Sequence, residues 1–192
     1  MISNAVLWLL VLGLVAVVWA LTRQIGILYE RVSPIGALIT DAGPALGQPA
    51  PPFSLPTLGG NTLALGGAAA RSTLLFFLSP TCPVCKKLLP VLHSVAKAEG
   101  DWVRIVLASD GDMLEHLDFY RKANLSPFPY VLSADLGMTY RVSRLPYAVL
   151  IDESGVIRAK GLINTREHLE SLITAQELGV GSVQEYLRQS AA

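Results

Sequence analysis

Cysteine is scarce in this chain of 192 residues: Cys82 and Cys85 are the only two. Two cysteines cannot build the multiply bridged scaffold of a small secreted domain. Nor do they make a structural zinc centre, which needs four ligands. The other candidates, His93, His116 and His168, fall at none of the short repeat spacings of such centres. Net charge is absent as well, with Lys and Arg numbering 15 against 15 for Asp and Glu. No basic surface is left over to neutralise a row of phosphates, so nucleic acid is not expected as a partner. No internal repeat is visible, and at this length one folded domain is the expectation.

Apolar residues are what the chain has in excess, 52% of the total with a mean hydropathy of +0.46, and the excess gathers at the amino end. From Ile2 to Thr22 no side chain is charged. A run of this length crosses a bilayer core as a helix rising about 1.5 Å per residue, so residues 2–22 are expected to form a transmembrane anchor. A signal peptide cleaved near Val18-Trp19-Ala20 is the alternative. Against it, the run exceeds the usual apolar core of a signal peptide, and no Lys or Arg precedes it. Arg23 and Arg31 follow the run and by the positive-inside rule pull the remainder toward the cytoplasm. Long domains translocate largely regardless of that bias, and the thiol chemistry argued below favours an oxidising compartment.

Residues 23–46 read as a juxtamembrane helix and linker, with Ile25, Leu28 and Val32 on one side and Pro34 ending the helix. Gly43 to Pro52, GPALGQPAPP, holds too many prolines and glycines for regular structure and leads into a domain expected over residues 47–180, with a tail at 181–192. Phe53 to Leu65 alternates around Gly59-Gly60-Asn61, which predicts a small hairpin. Thr73 to Leu78 is a continuous apolar run, as a strand buried on both faces requires. From Cys82 onward Leu88, Leu89, Leu92, Val95 and Ala96 recur at helical spacing. Trp102 to Ala108 predicts a second buried strand. A helix from Met113 to about Ala123 is expected to bury Met113, Leu114, Leu117 and Tyr120. Tyr147 to Asp152 and Val156 to Ala159 predict two antiparallel strands about Glu153-Ser154-Gly155, and Arg166 to Leu178 a closing helix. The order is that of an α/β domain.

The pair Cys82-Pro83-Val84-Cys85 falls where the first helix begins. As a structural staple it is weak, because closing so short a loop stabilises by only about 2 kcal/mol on the chain-entropy argument. As a redox pair its position matters more: a cysteine at a helix start faces unpaired N–H groups and the positive end of the macrodipole, both of which favour the thiolate. Cys82, the more exposed, is expected to attack. Cys85, one turn on and turned inward, is expected to resolve the mixed disulfide. Lys86 and Lys87 read as a solvated face, and the histidines and Trp102 as polar helix faces and core aromatics. Leu145-Pro146-Tyr147 sets a proline directly before an apolar strand. Only about one X-Pro bond in twenty is cis, but the presence of a Cys-x-x-Cys pair changes the odds. Tyr147 reads as packing.

With these residues in view the chain resembles the membrane-tethered thioredoxins, the branch that includes TlpA-like and cytochrome c maturation proteins. The likeness runs from Gly47-Gln48-Pro49-Ala50 and Phe53 through Leu74 to Cys85, then Leu145-Pro146 and Ile151-Asp152-Glu153-Ser154-Gly155. It implies a thioredoxin fold, a central mixed sheet flanked by helices, preceded here by one transmembrane helix. It also implies that Pro146 is cis and that the Leu145-Pro146 loop offers backbone groups to a substrate strand. Arg23-Gln24-Ile25-Gly26, Tyr29-Glu30-Arg31-Val32 and Cys82-Pro83-Val84-Cys85-Lys86 resemble more closely the MauD family of methylamine-utilisation accessory proteins. That resemblance implies a disulfide-rich secreted client, the small subunit of methylamine dehydrogenase. It implies further a domain in the periplasm, held at the inner membrane, and a membrane redox partner, with no cofactor. Two features depart from common thioredoxins. Thr81 stands where many have tryptophan, and Thr73 to Leu78 holds no carboxylate to take a proton from Cys85. Pro83-Val84 also lacks the histidine of strongly oxidising relatives, so no extreme potential is expected.

Three other functions compete. A reductase of the cytochrome c maturation type would use the same two sulfurs. A peroxiredoxin shares the segment around Phe53 and has Ser79 three residues before its cysteine, but Leu75 stands where its peroxide-site proline belongs; it predicts rapid turnover of hydrogen peroxide. A tethered docking module predicts that Cys82 is dispensable.

Overall fold

The computed structural model describes residues 43–177, together with Asn4, Trp8, residues 11–15 and residues 17–19. Those amino-terminal residues are helical and exposed. No helix among the described residues is long and apolar enough to cross a membrane. Most of the expected anchor at 2–22, the juxtamembrane helix from Arg23 and the tail at 181–192 lie outside the described residues. The chain divides into two units, Met1–Thr40 and Asp41–Ala192.

The elements of the second unit are β1 (Phe53–Pro56), β2 (Thr62–Leu65), β3 (Ser72–Phe77), α1 (Pro83–Ala98), β4 (Val103–Ser109), α2 (Met113–Lys122), β5 (Tyr130–Leu132), α3 (Ala134–Thr139), β6 (Tyr147–Ile151), β7 (Ile157–Leu162) and α4 (Arg166–Glu177). β1 and β2 pair antiparallel as the glycine-turn hairpin the sequence predicts, Phe53 opposite Leu65. The other strands form one mixed sheet in the order β5-β4-β3-β6-β7. β3 lies at its centre, parallel to β4 and antiparallel to β6.

Every residue of β3 is buried, because alternate side chains feed two cores. Leu74, Phe76 and Leu78 pack on one face with Leu88 and Leu92 of α1 and Leu169 and Ile173 of α4. Leu75 and Phe77 pack on the other with Leu63 and Leu65 of the hairpin and Leu136 of α3. The period-two alternation of a strand makes both faces apolar at once, which is why its sequence shows no alternation. Truncating such a side chain to alanine costs roughly 2–5 kcal/mol.

The proline-rich stretch before the hairpin is not a free linker. Pro49 bridges Val156, Gly47 donates its N–H to Ile157 O and Ile157 returns one to Gln48 O. Ala50 is buried. At the other side of the sheet Thr57 bridges Val131, and Leu58 N–H donates to Tyr130 O. Proline rings and glycines deny this stretch a ladder of its own, yet its remaining backbone groups find partners on β5, β7 and the β6–β7 turn. In that turn Gly155 has φ +80°, and a Cβ there would lie 2.6 Å from Gly67 N and O, so only glycine fits.

Two expectations need correction. β5 and α3 fall in a stretch where the sequence predicts no element. The inward face of α2 is also different: Met113 and Leu114 are 51% and 74% exposed, whereas His116 is buried at 2%. Phe119 and Tyr120 pack against the core beside it. Apolar spacing mistook the face because a polar side chain with satisfied partners occupies its centre.

Candidate active site

β3 and β4 are parallel, and β6 runs against them, so the carboxyl ends of β3 and β4 and the start of β6 share one end of the sheet. Phe77 pairs with Ala108 on one side and Tyr147 on the other. Past this point Leu78 N–H donates to Ala108 O, and Ser79 to Thr81 turn the chain. Cys82 N–H donates to Ser79 O at 3.1 Å, Thr81 N–H to Ser79 Oγ at 3.2 Å, and the two hydroxyls meet at 2.9 Å. This small turn brings the chain to Cys82 in an extended conformation, φ −79° and ψ 112°, as the N-cap of α1. Pro83 follows at a position whose missing N–H would have had no helical partner.

The N-cap role falls to a sulfur instead of an oxygen. Cys82 Sγ accepts the N–H of Cys85 at 3.1 Å, and the helix has no acidic residue in its first turn. An N–H donor and an unopposed helix terminus both favour the anionic form of that sulfur. Cys82 is half-buried, while Cys85 is fully buried within the core beneath it. The two are joined in a disulfide, with Cα atoms 5.3 Å apart. Lys86 and Lys87 are exposed.

Leu145 and Pro146 arrive at the same end of the sheet. Their peptide bond is cis, Pro146 is buried and its carbonyl accepts Ile163 N–H at 3.0 Å, while Leu145 is 38% exposed. Tyr147 lies 6.5 Å, ring to ring, from Phe77, in keeping with a packing role.

Further polar groups at this end escaped the sequence reading. Ser109 Oγ donates to Leu78 O at 2.8 Å, tying β4 to the strand that delivers the cysteines. His116 Nε2 faces Asp110 O at 2.9 Å, and its Nδ1 faces Tyr130 Oη at 2.7 Å. A carbonyl only accepts, so Nε2 carries a proton; in the neutral ring Nδ1 then accepts from the tyrosine. Burial pushes the Tyr130 hydroxyl well above its ordinary value, with Glu115 adding to the shift and the nearby Ser109 hydroxyl opposing it. His116 is thus a satisfied core residue, not part of a polar helix face. The available signal was Ser109-Asp110-Gly111-Asp112, small and polar directly after an apolar parallel strand, where α/β folds place their sites.

No carboxylate is buried at this end. Among the described residues the one buried carboxylate is Asp152, at the opposite end of β6. No group of His, Cys, Asp or Glu among the described residues is arranged to hold a metal ion.

A mixed sheet with a Cys-x-x-Cys disulfide at the start of its first helix and a cis-proline before an antiparallel strand defines a thioredoxin-like protein, and the Redoxin family matches residues 45–175. StoA from Bacillus subtilis, a solved structure, superposes with a TM-score of 0.55 at 28% identity, over 68% of this chain and 99% of that one. The methylamine utilization protein MauD of Paracoccus versutus is 50% identical over 185 residues, 96% of this chain and 93% of the relative. That of Paracoccus denitrificans is 50% identical over 187 residues, 96% and 92% of the two chains. The chain belongs to the MauD family.

Proposed function

We propose that this protein is a membrane-anchored thiol–disulfide oxidoreductase of methylamine utilisation, assisting disulfide formation and maturation of the small subunit of methylamine dehydrogenase. The observation that carries the reading is the asymmetry of the two sulfurs. Cys82 is half-buried and its Sγ accepts the Cys85 N–H, while Cys85 is fully buried in the core.

In the oxidising direction a client thiolate attacks Cys82 Sγ of the disulfide and displaces Cys85 as thiolate, giving a mixed disulfide. A second client thiolate then attacks its own partner sulfur in that bond and expels Cys82. The client gains a disulfide and the pair is left as a dithiol, to be reoxidised by a membrane partner. In the reverse direction Cys82 attacks a client disulfide, and Cys85 frees the reduced client. Leu145 and Pro146 receive the client strand beside the bond being exchanged. The uncharged run from Ile2 to Thr22 supports an anchor in the inner membrane, with the domain in the periplasm. So does the exposure of Trp8, Leu12 and Leu14, apolar side chains among the described helical residues of that run.

The test is a trap. In cells expressing the client, Cys85→Ser is expected to accumulate a covalent adduct through Cys82 that reducing agent dissolves. Absence of any adduct while the client is present would sink the proposal and favour docking without chemistry. The reduction potential of the pair then assigns the direction, about 30 mV corresponding to a tenfold change in the exchange equilibrium.

A further inference from the structure

Within residues 43–177 the exposed large apolar side chains are Leu46, Met113, Leu114, Met138 and Leu145. All but Leu46 stand on segments that leave β4 and β5 or lead into β6, at the end of the sheet that carries Cys82. A cleft of about 720 Å³ opens there, lined among others by Leu78, Ser109, Met138 and Leu145. Its charged lining is two guanidiniums, Arg141 and Arg144, against one carboxylate, Asp110. Both arginines are exposed, and neither guanidinium has a hydrogen-bonded or ionic partner among the described residues. Arg141 also stands at φ 49°, a backbone position that Gly or Asn fills more readily. A long cation nonetheless stands at that position.

These features point to an extended polypeptide as occupant. Methionine is unbranched and polarizable and adapts to varied aliphatic partners. Unpaired guanidiniums present a fork of donors that suits a carboxylate. Leu145, which lines the cleft, is joined by a cis peptide bond to Pro146, at the end of the sheet that carries Cys82. We infer that the cleft is the client-docking groove, and that it selects segments carrying an acidic side chain within a few residues of the reacting cysteine. An aliphatic side chain of the same segment rests against Met138 and Leu145. This deepens the oxidoreductase reading and rests on it.

The experiment uses the full chain, reduced, with peptides that each carry one cysteine as a mixed disulfide with 2-mercaptoethanol. The peptides differ only in whether Glu, Gln or Lys flanks that cysteine. In each single turnover the Cys82–Cys85 dithiol closes to its disulfide while the peptide disulfide becomes two thiols, so no added reductant is needed. At low salt the Glu peptide is expected to react about three- to tenfold faster than the Lys peptide, the range for a pair of solvent-exposed ionic contacts that act mainly on association. That ratio should shrink toward one in concentrated salt. It should fall to one or invert in Arg144→Glu and in Arg141→Glu/Arg144→Glu; the single variant leaves the left-handed position untouched. Equal rates for all three peptides in the unaltered protein, or a Glu preference that survives both variants, would overturn the groove. Failure of the unaltered protein to react with any peptide, or with neutral 2-hydroxyethyl disulfide, would instead overturn the oxidoreductase reading beneath it.

Discussion

The two ends of the central sheet are built on opposite principles. At the far end side chains are tied to one another. Ser72 Oγ donates to Glu153 at 2.6 Å, Arg158 Nε to Asp152 at 2.6 Å, and Val156 N–H to the other Asp152 oxygen at 2.8 Å. Gly155 presses against the backbone of Gly67. At the cysteine end Arg141 and Arg144 have no hydrogen-bonded or ionic partner among the described residues, methionines and leucines face solvent, and at the start of α1 a sulfur replaces the usual capping oxygen. The far end is where stability can be spent freely because nothing there has to open. The cysteine end must keep a reactive bond reachable, so its order comes from the backbone and from a few buried hydrogen bonds.

The sharpest way to test that division is Cys82→Ser, which should bring disulfide exchange down to the uncatalysed rate. Loss of so short a crosslink should lower the stability of the oxidised protein by no more than about 2 kcal/mol. Exchange assays and urea unfolding on the same samples check both halves, and retained exchange would erase the contrast.

Asp152→Asn should do the converse, destabilising by about 1–3 kcal/mol with exchange of a small disulfide preserved. Burial alone would raise this carboxyl. The Val156 N–H, the Arg158 guanidinium and the Ser154 N–H outweigh burial and hold it below its ordinary value. A depressed carboxylate stabilises fully above its unfolded value and loses that stabilisation as pH falls through the folded one. The acid limb of a stability–pH profile, below about pH 4, should therefore flatten in the variant.

Ser109→Ala probes the cysteine end without touching sulfur. It removes the donor to Leu78 O, and unfolding should register a loss of about 1 kcal/mol. Tyr140→Phe should be the mildest. The Tyr140 hydroxyl is buried with no hydrogen-bond partner among the described residues, and burial pushes it up to about 12. Deleting it should leave stability within about 1 kcal/mol of the original or raise it, and a clear loss in thermal unfolding would reveal a partner for that oxygen.

Much of the fold is legible because its core strands declare themselves. Leu74 to Leu78 are apolar without a break and Trp102 to Ala108 is interrupted only by Arg104, and Leu88, Leu89, Leu92 and Val95 mark the buried stripe of α1 without ambiguity. β5 is a three-residue strand just after Pro127 and Pro129, and α3 spans six residues with Gly137 inside it. Neither offers a period long enough to count. The inward face of α2 could not be found from hydropathy, since its centre is a histidine satisfied by a tyrosine fourteen positions later in the chain. The cysteines could be placed because the chemistry and the helix start coincide in four residues. The cleft could not, because Asp110, Met138, Arg141 and Leu145 come together only through the parallel crossover and the return into β6.

One short segment, residues 47–58, touches both outermost strands of the sheet. Gly47, Gln48 and Pro49 fasten to β7 and the turn before it, and Thr57 and Leu58 to β5. Unpaired outer strands are templates for pairing with other chains, and here one stretch of backbone shields both. A chain cut after Leu58 would keep its cysteines and most of its core yet expose two sticky borders at once, so self-association rather than unfolding is the failure to look for in any shortened version.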